Sequence, residues 1–362
     1  MELISKLNYK VTNALLLLLV LTAWSTTVTA KYEKSIAICE NPTKEQALTL
    51  KLILEDIGSK YNGAQCKQIY ELLAKRETLG FLGYTTDNPD LSPLNELTHL
   101  KFLSLAGINN LNLAPLEGLV QLRRLHLSAN TIVGIKIIEE FVNLEELNIT
   151  DSGVNNLKFI AKLHKLKRLN LSNNNIDNIN ALSNLQDLQY IFLSSNKIKD
   201  ISALGKLAKL EKLVLLGNKV SDISPLRHSI NLTYLHLSNN QLVSLNALSD
   251  LVSLEVLDFG SNQITELEPL KGLVNIKKLS FMNNKVKNLS PLSSLRNLES
   301  ISFSRNQVEH IGPLVGLQKL SDIYAFGNNL KDCPSGEITG LENGRIFCKS
   351  GEVKAIKPCM ND

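Results

Sequence analysis

The chain has 362 residues, is 44% hydrophobic and 20% charged, and carries a formal net charge of +4. So slight a basic excess, with 5% aromatic residues and no basic run interleaved with them, argues against nucleic acid or a membrane surface as partner. The length is ample for one elongated domain.

Residues 1–30 read as a secretory signal peptide. Lys6 and Lys10 give a positive start, and Ala14 to Leu21 gives an apolar core too short to span a bilayer. Val28, Thr29 and Ala30 offer small residues before a cut. The competing reading, an uncleaved anchor, needs a longer apolar run. No stable membrane span is expected after cleavage.

Residues 31–97 form a helical N-terminal cap that ends in a degenerate leading repeat. Thr43 and Gln46 make a capping box ahead of an apolar stripe of Ala47, Leu50, Ile53, Leu54 and Ile57, which Gly58 stops. A second helix, from about Ala64 to Lys75, carries Cys66, Ile69 and Leu73 on one face. That face is expected to meet the first repeat and to bring Cys66 towards Cys39. Leu91, Leu94 and Leu97 already hold repeat spacing.

Residues 98–335 repeat with a fixed period. Leu210 to Ile223, LEKLVLLGNKVSDI, fits LxxLxLxxNxIxxI, the leucine-rich-repeat pattern. About 11 such units of 22 residues start at Leu100, Leu122, Leu144, Leu166, Leu188, Leu210, Leu232, Leu254, Ile276, Leu298 and Leu320. Each unit hides its apolar edge only by stacking on its neighbours. The segment LxxLxL is a short strand with leucines inward and polar residues outward, pairing in parallel at a spacing of ~4.8 Å. The next Asn can satisfy backbone groups at the turn. It is present from Asn130 to Asn328, but Ile108 and Ser152 replace it in their units, where less regular structure is expected. Pro115, Pro225, Pro269, Pro291 and Pro313 suit the start of a single 3₁₀-like turn, and Ser224, Ser290 and Gly312 suit a cap before it. The fold class is therefore α/β: a right-handed leucine-rich-repeat solenoid, or horseshoe, with a parallel concave sheet, 3₁₀-like convex turns and a helical N-terminal cap.

Residues 336–362 form a C-terminal cap. All five cysteines lie near the ends: Cys39, Cys66, Cys333, Cys348 and Cys359. In an exported protein, cysteines confined to the caps suggest disulfides that involve Cys39, Cys66, Cys333 and Cys348. Cys333 could pair with Cys348, leaving Cys359 over. The pairing is open, and buried free thiols are the alternative.

Nothing in the chain points to catalysis, a cofactor or a metal. His126 and His236 share one strand slot five repeats apart, roughly 24 Å, so they cannot share an ion. No Cys pair has zinc spacing, and neither a phosphate-cradling glycine loop nor a serine nucleophile elbow occurs. Asn148, Asn170, Asn231 and Asn288 head Asn-X-Ser/Thr triplets, three of which are by-products of the repeat pattern.

The outward strand positions remain. Tyr190, Phe192, Val214, Leu216, Tyr234, His236 and Val256 fall on adjacent strands as an apolar and aromatic patch that the repeat core does not require. Such patches mark partner sites. Arg124, Glu146 and Arg168 form a mixed-charge neighbour. Tyr324 and Phe326 make either a second contact or a bed for the C-terminal cap.

Units such as LEKLVLLGNKVSDISPL and LEVLDFGSNQITELEPL, with the signal peptide and helical cap, resemble bacterial secreted leucine-rich-repeat proteins of the internalin type. That resemblance implies a concave face that binds a protein. The chain departs from the family in lacking a sorting motif, wall-binding modules and an immunoglobulin-like domain, and in its cap cysteines. The expectation is an exported, non-catalytic, monomeric scaffold, secreted, periplasmic or at the cell surface. It would capture a host or envelope protein. The alternative is an envelope-associated structural or carbohydrate-binding repeat protein.

Overall fold

The computed structural model of the chain describes residues 30–58, 66–85, 88–331 and 346–347. Residues 1–29 of the expected signal peptide, Cys333, Cys348, Cys359 and nearly all of the expected C-terminal cap lie outside them. The chain divides into two compact units, Met1–Leu144 and Glu145–Asp362.

The first unit opens with three helices: α1 (Glu33–Glu40), α2 (Lys44–Asp56) and α3 (Cys66–Leu73). Thr43 and Gln46 close the capping box of α2 in both directions. Leu50, Leu52, Ile53 and Leu54 are buried, and Gly58 stops the helix with φ +68°. A disulfide joins Cys39 to Cys66, and Tyr70 of α3 donates to the Pro93 carbonyl at 2.7 Å. Burial pushes the Tyr70 hydroxyl well above its usual range. His99 Nε2 faces the Leu73 carbonyl at 3.0 Å, and a carbonyl only accepts. Nε2 therefore carries the proton, and Nδ1 accepts from Tyr32.

Strand β1 (Thr78–Thr85) follows and pairs in parallel with β2 (Phe102–Ile108), Leu79 against Leu103 and Phe81 against Leu105. The leading repeat thus has a strand of its own, with buried Leu91, Leu94 and Leu97 on its return half. The short β3 (Leu111–Asn112) and β5 (Ile132–Val133) pair with each other, and β4 (Arg124–His126) pairs with β2. At Ile108, where a ladder Asn is missing, the chain runs on as strand and Ile108 enters the core.

The second unit is regular. Strands β6 (Glu146–Asn148), β7 (Arg168–Asn170), β8 (Tyr190–Phe192), β9 (Lys212–Val214), β10 (Tyr234–His236), β11 (Val256–Asp258), β12 (Lys278–Ser280), β13 (Ser300–Ser302), β14 (Asp322–Tyr324) and β15 (Ile346–Phe347) lie side by side in chain order. All pairings among them are parallel, and those from β6 to β14 keep the 22-residue register. Alternate side chains point inward, so Leu169, Ile191, Leu213, Leu235 and Leu257 are buried while their neighbours face out. Phe259, Phe281 and Phe303 stack in the core with ring centroids 5.5 and 5.9 Å apart.

The turn asparagines form a ladder from Asn174 to Asn328. Asn196 shows the pattern. Its Nδ2 donates to Leu193 O in its own repeat and to Leu171 O in the one before, each at 3.0 Å, and its Oδ1 accepts from Ile176 N at 3.0 Å. The residue just before each ladder Asn is left-handed, among them Asn173, Ser195, Gly217, Asn239 and Arg305. A second row lies on the other side of the strands. In it Asn231, Asn275 and Asn297 each donate to a backbone carbonyl of the preceding repeat.

The return halves are short 3₁₀ turns, with Pro in the first turn at Ser224–His228, Glu268–Leu270, Ser290–Ser294 and Gly312–Leu314. The expected caps do not form at Ser224, Ser290 or Gly312, each of which is the first residue of its turn. Ser224 and Ser290 make no cap bond from their side chains to these turns, whose N-cap positions are Ile223 and Leu289. The capping acceptor stands two residues ahead: Asp222 Oδ1 accepts from Ser224 N at 2.8 Å, and Asn288 Oδ1 from Ser290 N at 2.9 Å. Asp200 does the same for Ser202.

Candidate protein-binding face

The outward face of the second unit is read in three rows across its strands. The first row holds Arg168, Tyr190, Lys212, Tyr234 and Val256, and the second holds Asn170, Phe192, Val214, His236 and Asp258. The third continues just past the strands with Ser172, Ser194, Leu216, Ser238 and Gly260.

Tyr190, Phe192, Val214, Leu216, Tyr234, His236 and Val256 are all half-exposed, and none enters the core. The second row places Phe192 against Val214 and Val214 against His236. In the first row the tyrosines are not neighbours, because Lys212 stands between Tyr190 and Tyr234. The patch is therefore continuous through Phe192 and Val214 but divided above them by a cation.

Cations as well as apolar side chains occupy this face. The Arg168 guanidinium carbon lies 4.2 Å from the Tyr190 ring centre, and Lys212 Nζ lies 5.5 Å from that of Tyr234. Each tyrosine thus has a cation over one face. Tyr190 also donates to Glu211 Oε2 at 2.8 Å, and this bond raises its hydroxyl above the ordinary range. The signal for these pairings lay in the repeat itself: residues 22 apart in one outward slot are neighbours on adjoining strands.

At the far side of the patch His236 Nε2 lies 3.6 Å from Asp258 Oδ2. Asp258 Oδ1 also accepts from the Ser238 hydroxyl and from Gly260 N, the latter at 3.0 Å. Asp258 is thereby tied to three groups of its own sheet. Farther along, Met282, Tyr324 and Phe326 are 44%, 43% and 37% exposed. Along the strand entries, Lys167 pairs with Glu145 and Lys277 with Glu255, both at 2.8 Å. Both pairs are exposed, so each contributes little stability.

Among the described residues, no group of three or more His, Cys, Asp or Glu side chains converges as a metal site, and no helix is long and apolar enough to cross a membrane.

The family description "Leucine Rich repeats (2 copies)" matches residues 186–228 and 230–272, and "Leucine Rich Repeat" matches residues 165–185. No curated protein matches the chain in sequence. Among solved structures, an internalin, InlF, from Listeria monocytogenes is similar, with a TM-score of 0.73 at 24% identity, over 86% of this chain and 96% of that one. A leucine-rich-repeat protein of Leptospira interrogans is similar over 81% of this chain and 83% of its own, with a TM-score of 0.60 at 20% identity. TLR13, solved as a complex with ssRNA13, is similar over 77% of this chain and 44% of its own, with a TM-score of 0.61 at 22% identity. At these identities the likeness is one of fold. The period, the asparagine ladder, the parallel sheet and these matches agree: the chain has the leucine-rich-repeat fold, and it is similar in that fold to an internalin.

Proposed function

We propose that the chain is an exported, non-catalytic scaffold that captures a protein partner on the outward face of its repeat sheet. Residues 1–30 direct export and are removed, and the caps at 31–97 and 336–362 close the ends of the stack at 98–335. The observation that carries the reading is the run of half-exposed Tyr190, Phe192, Val214, Leu216, Tyr234, His236 and Val256 on adjoining strands. Their inward neighbours already fill the core, so the fold does not require apolar residues there. Tyrosines held by a cation over one face are stiff, which lowers the entropy cost of binding.

The test is paired substitution. Tyr190→Ala with Tyr234→Ala abolishes partner capture, by crosslinking to envelope or host material, and leaves circular dichroism unchanged. Capture that survives the double change removes the patch from the account. Binding to a glycan array with no protein captured would favour a carbohydrate-binding envelope protein instead. N-terminal sequencing of the exported protein checks the cut after Ala30.

A further inference from the structure

We infer that the partner offers this face an acidic protein segment, with two carboxylates that reach Arg168 and Lys212 and an apolar side chain between them. The inference rests on the protein-binding reading above and names the chemistry of its partner.

The outward positions of β7 to β10, with the third row that continues them, hold Arg168 and Lys212 and no carboxylate. His236 is the one other titratable group there apart from the tyrosines. The carboxylates nearest this window in the register are already engaged or lie one strand outside it. Glu211, at the strand entry, accepts from Tyr190. Asp258, on β11, accepts from Ser238 and Gly260 and faces His236. Glu146 stands on β6, opposite Arg168 in the register. Arg168 and Lys212 make no ion pair among the described residues and rest instead on the tyrosine rings. At the strand entries some lysines of this unit are paired, Lys167 with Glu145, Lys209 with Asp187, Lys277 with Glu255 and Lys331 with Glu309, whereas others, Lys278 on β12 among them, make no ion pair among the described residues. What sets Arg168 and Lys212 apart is that each rests on a tyrosine ring beside an apolar row, with no carboxylate in the same window.

A guanidinium laid on a ring keeps its N–H donors in the plane of the fork, directed away from the ring. That is the geometry that takes a carboxylate with two parallel hydrogen bonds. β7 and β9 are two strand spacings apart, so Arg168 and Lys212 are separated by about 10 Å. Between and beside them lie Tyr190, Phe192 and Val214, half-exposed and apolar. The complementary surface is acid, apolar group, acid.

The same cations could attract a polyanion of another kind, but the surroundings favour protein. Non-specific single-strand binders stack bases on open aromatic rings along a basic groove. Here one face of each tyrosine is covered by its cation, and the row behind is Phe192 and Val214 rather than further cations. Two phosphate contacts would also be few for a nucleic-acid site.

The experiment displays random linear peptides on phage and selects them against the purified protein at low salt. Selected peptides are expected to be enriched in Asp and Glu flanking an aromatic or aliphatic residue. Their affinity is expected to fall about tenfold in Arg168→Glu with Lys212→Glu, and wild-type binding, unlike that of the variant, to weaken as salt rises. Peptides that are neutral or basic, no enrichment over the starting library, or affinity unchanged by the charge reversals overturns the inference. The two readings fail separately. Neutral peptides that need Tyr190 and Tyr234 leave the face standing and remove its acidic partner. Peptides that bind Tyr190→Ala/Tyr234→Ala and the charge-reversed protein equally well remove the face itself. Oligouridine is the competing probe: binding of it that needs Arg168 and Lys212, with no acidic peptide selected, overturns the assignment to protein.

Discussion

Asn218 holds the Leu193 carbonyl, 2.9 Å from its Nδ2, one repeat back in the chain. Its Oδ1 accepts from Ile198 N at 3.0 Å, also in the preceding repeat. The Leu193 carbonyl has a second donor in Asn196, but among the described residues no other partner takes the Ile198 N–H. Asn218→Ala therefore strands a buried N–H and leaves a small void. The expected loss is about 3 kcal/mol. Lys219→Ala, on the exposed neighbour, should stay within about 0.5 kcal/mol. Urea denaturation followed by circular dichroism reads both.

Gly217 occupies the left-handed position of its turn, with φ +68°. Asn239 and Arg305 hold the equivalent position with side chains, so the space permits one and the cost is conformational. Gly217→Ala is expected to destabilise by roughly 1 kcal/mol. Gly272, outside the left-handed region and with open space where a Cβ would stand, is the control. Gly272→Ala should be neutral or stabilise slightly. A fall in Tm in Gly217→Ala that Gly272→Ala does not share bears this out, and equal shifts count against it.

Asp222 caps its 3₁₀ turn through the Ser224 backbone N–H and hydroxyl, and these bonds hold its carboxyl below the usual carboxylate range. A depressed pKa means that the stabilisation is fully present above the ordinary carboxylate pKa and is lost as pH falls on through the lowered, folded-state pKa. Asp222→Ala should lower stability by about 1 kcal/mol at neutral pH. The difference from wild type should close below about pH 4. A gap that persists at low pH would place the effect in packing rather than in the ionised cap.

Cys39 and Cys66, 27 residues apart, tie α1 to α3. Replacing both by Ser lengthens the loops open to the unfolded chain and should cost roughly 3 kcal/mol in the first unit. Hydrogen exchange monitored by peptide shows where the loss falls. Protection should drop over residues 33–58 and 66–73 and stay high at the buried strands from Arg168 to Ser302.

Much of this architecture is legible in the sequence because one physical rule repeats. Leucines that must be covered by a neighbour recur at a fixed step, and Asn occupies the position where buried turn groups need both a donor and an acceptor. The misses share a cause as well. Strand β1 pairs Thr78 with Phe102, a step of 24 that falls outside the 22-residue frame, so a search by period passes over it. The caps of the 3₁₀ turns lie at Asp222 and Asn288 rather than Ser224 and Ser290, because an Asx side chain reaches two residues ahead whereas the proline-led turn leaves its own first residue facing out. On the outward face, the row of Tyr190 and Tyr234 is readable, but the seating of Arg168 and Lys212 on their rings depends on side-chain conformation across strands.

Every ladder asparagine from Asn174 onward reaches backward, so each coil is finished by the coil that follows it. The stack therefore has a polarity. Shortening it from the carboxyl side exposes an unfinished turn, whereas duplicating an internal block leaves both new junctions complete. A chain built this way can lengthen by copying its middle without leaving a turn open, whereas every cut at its trailing side opens one.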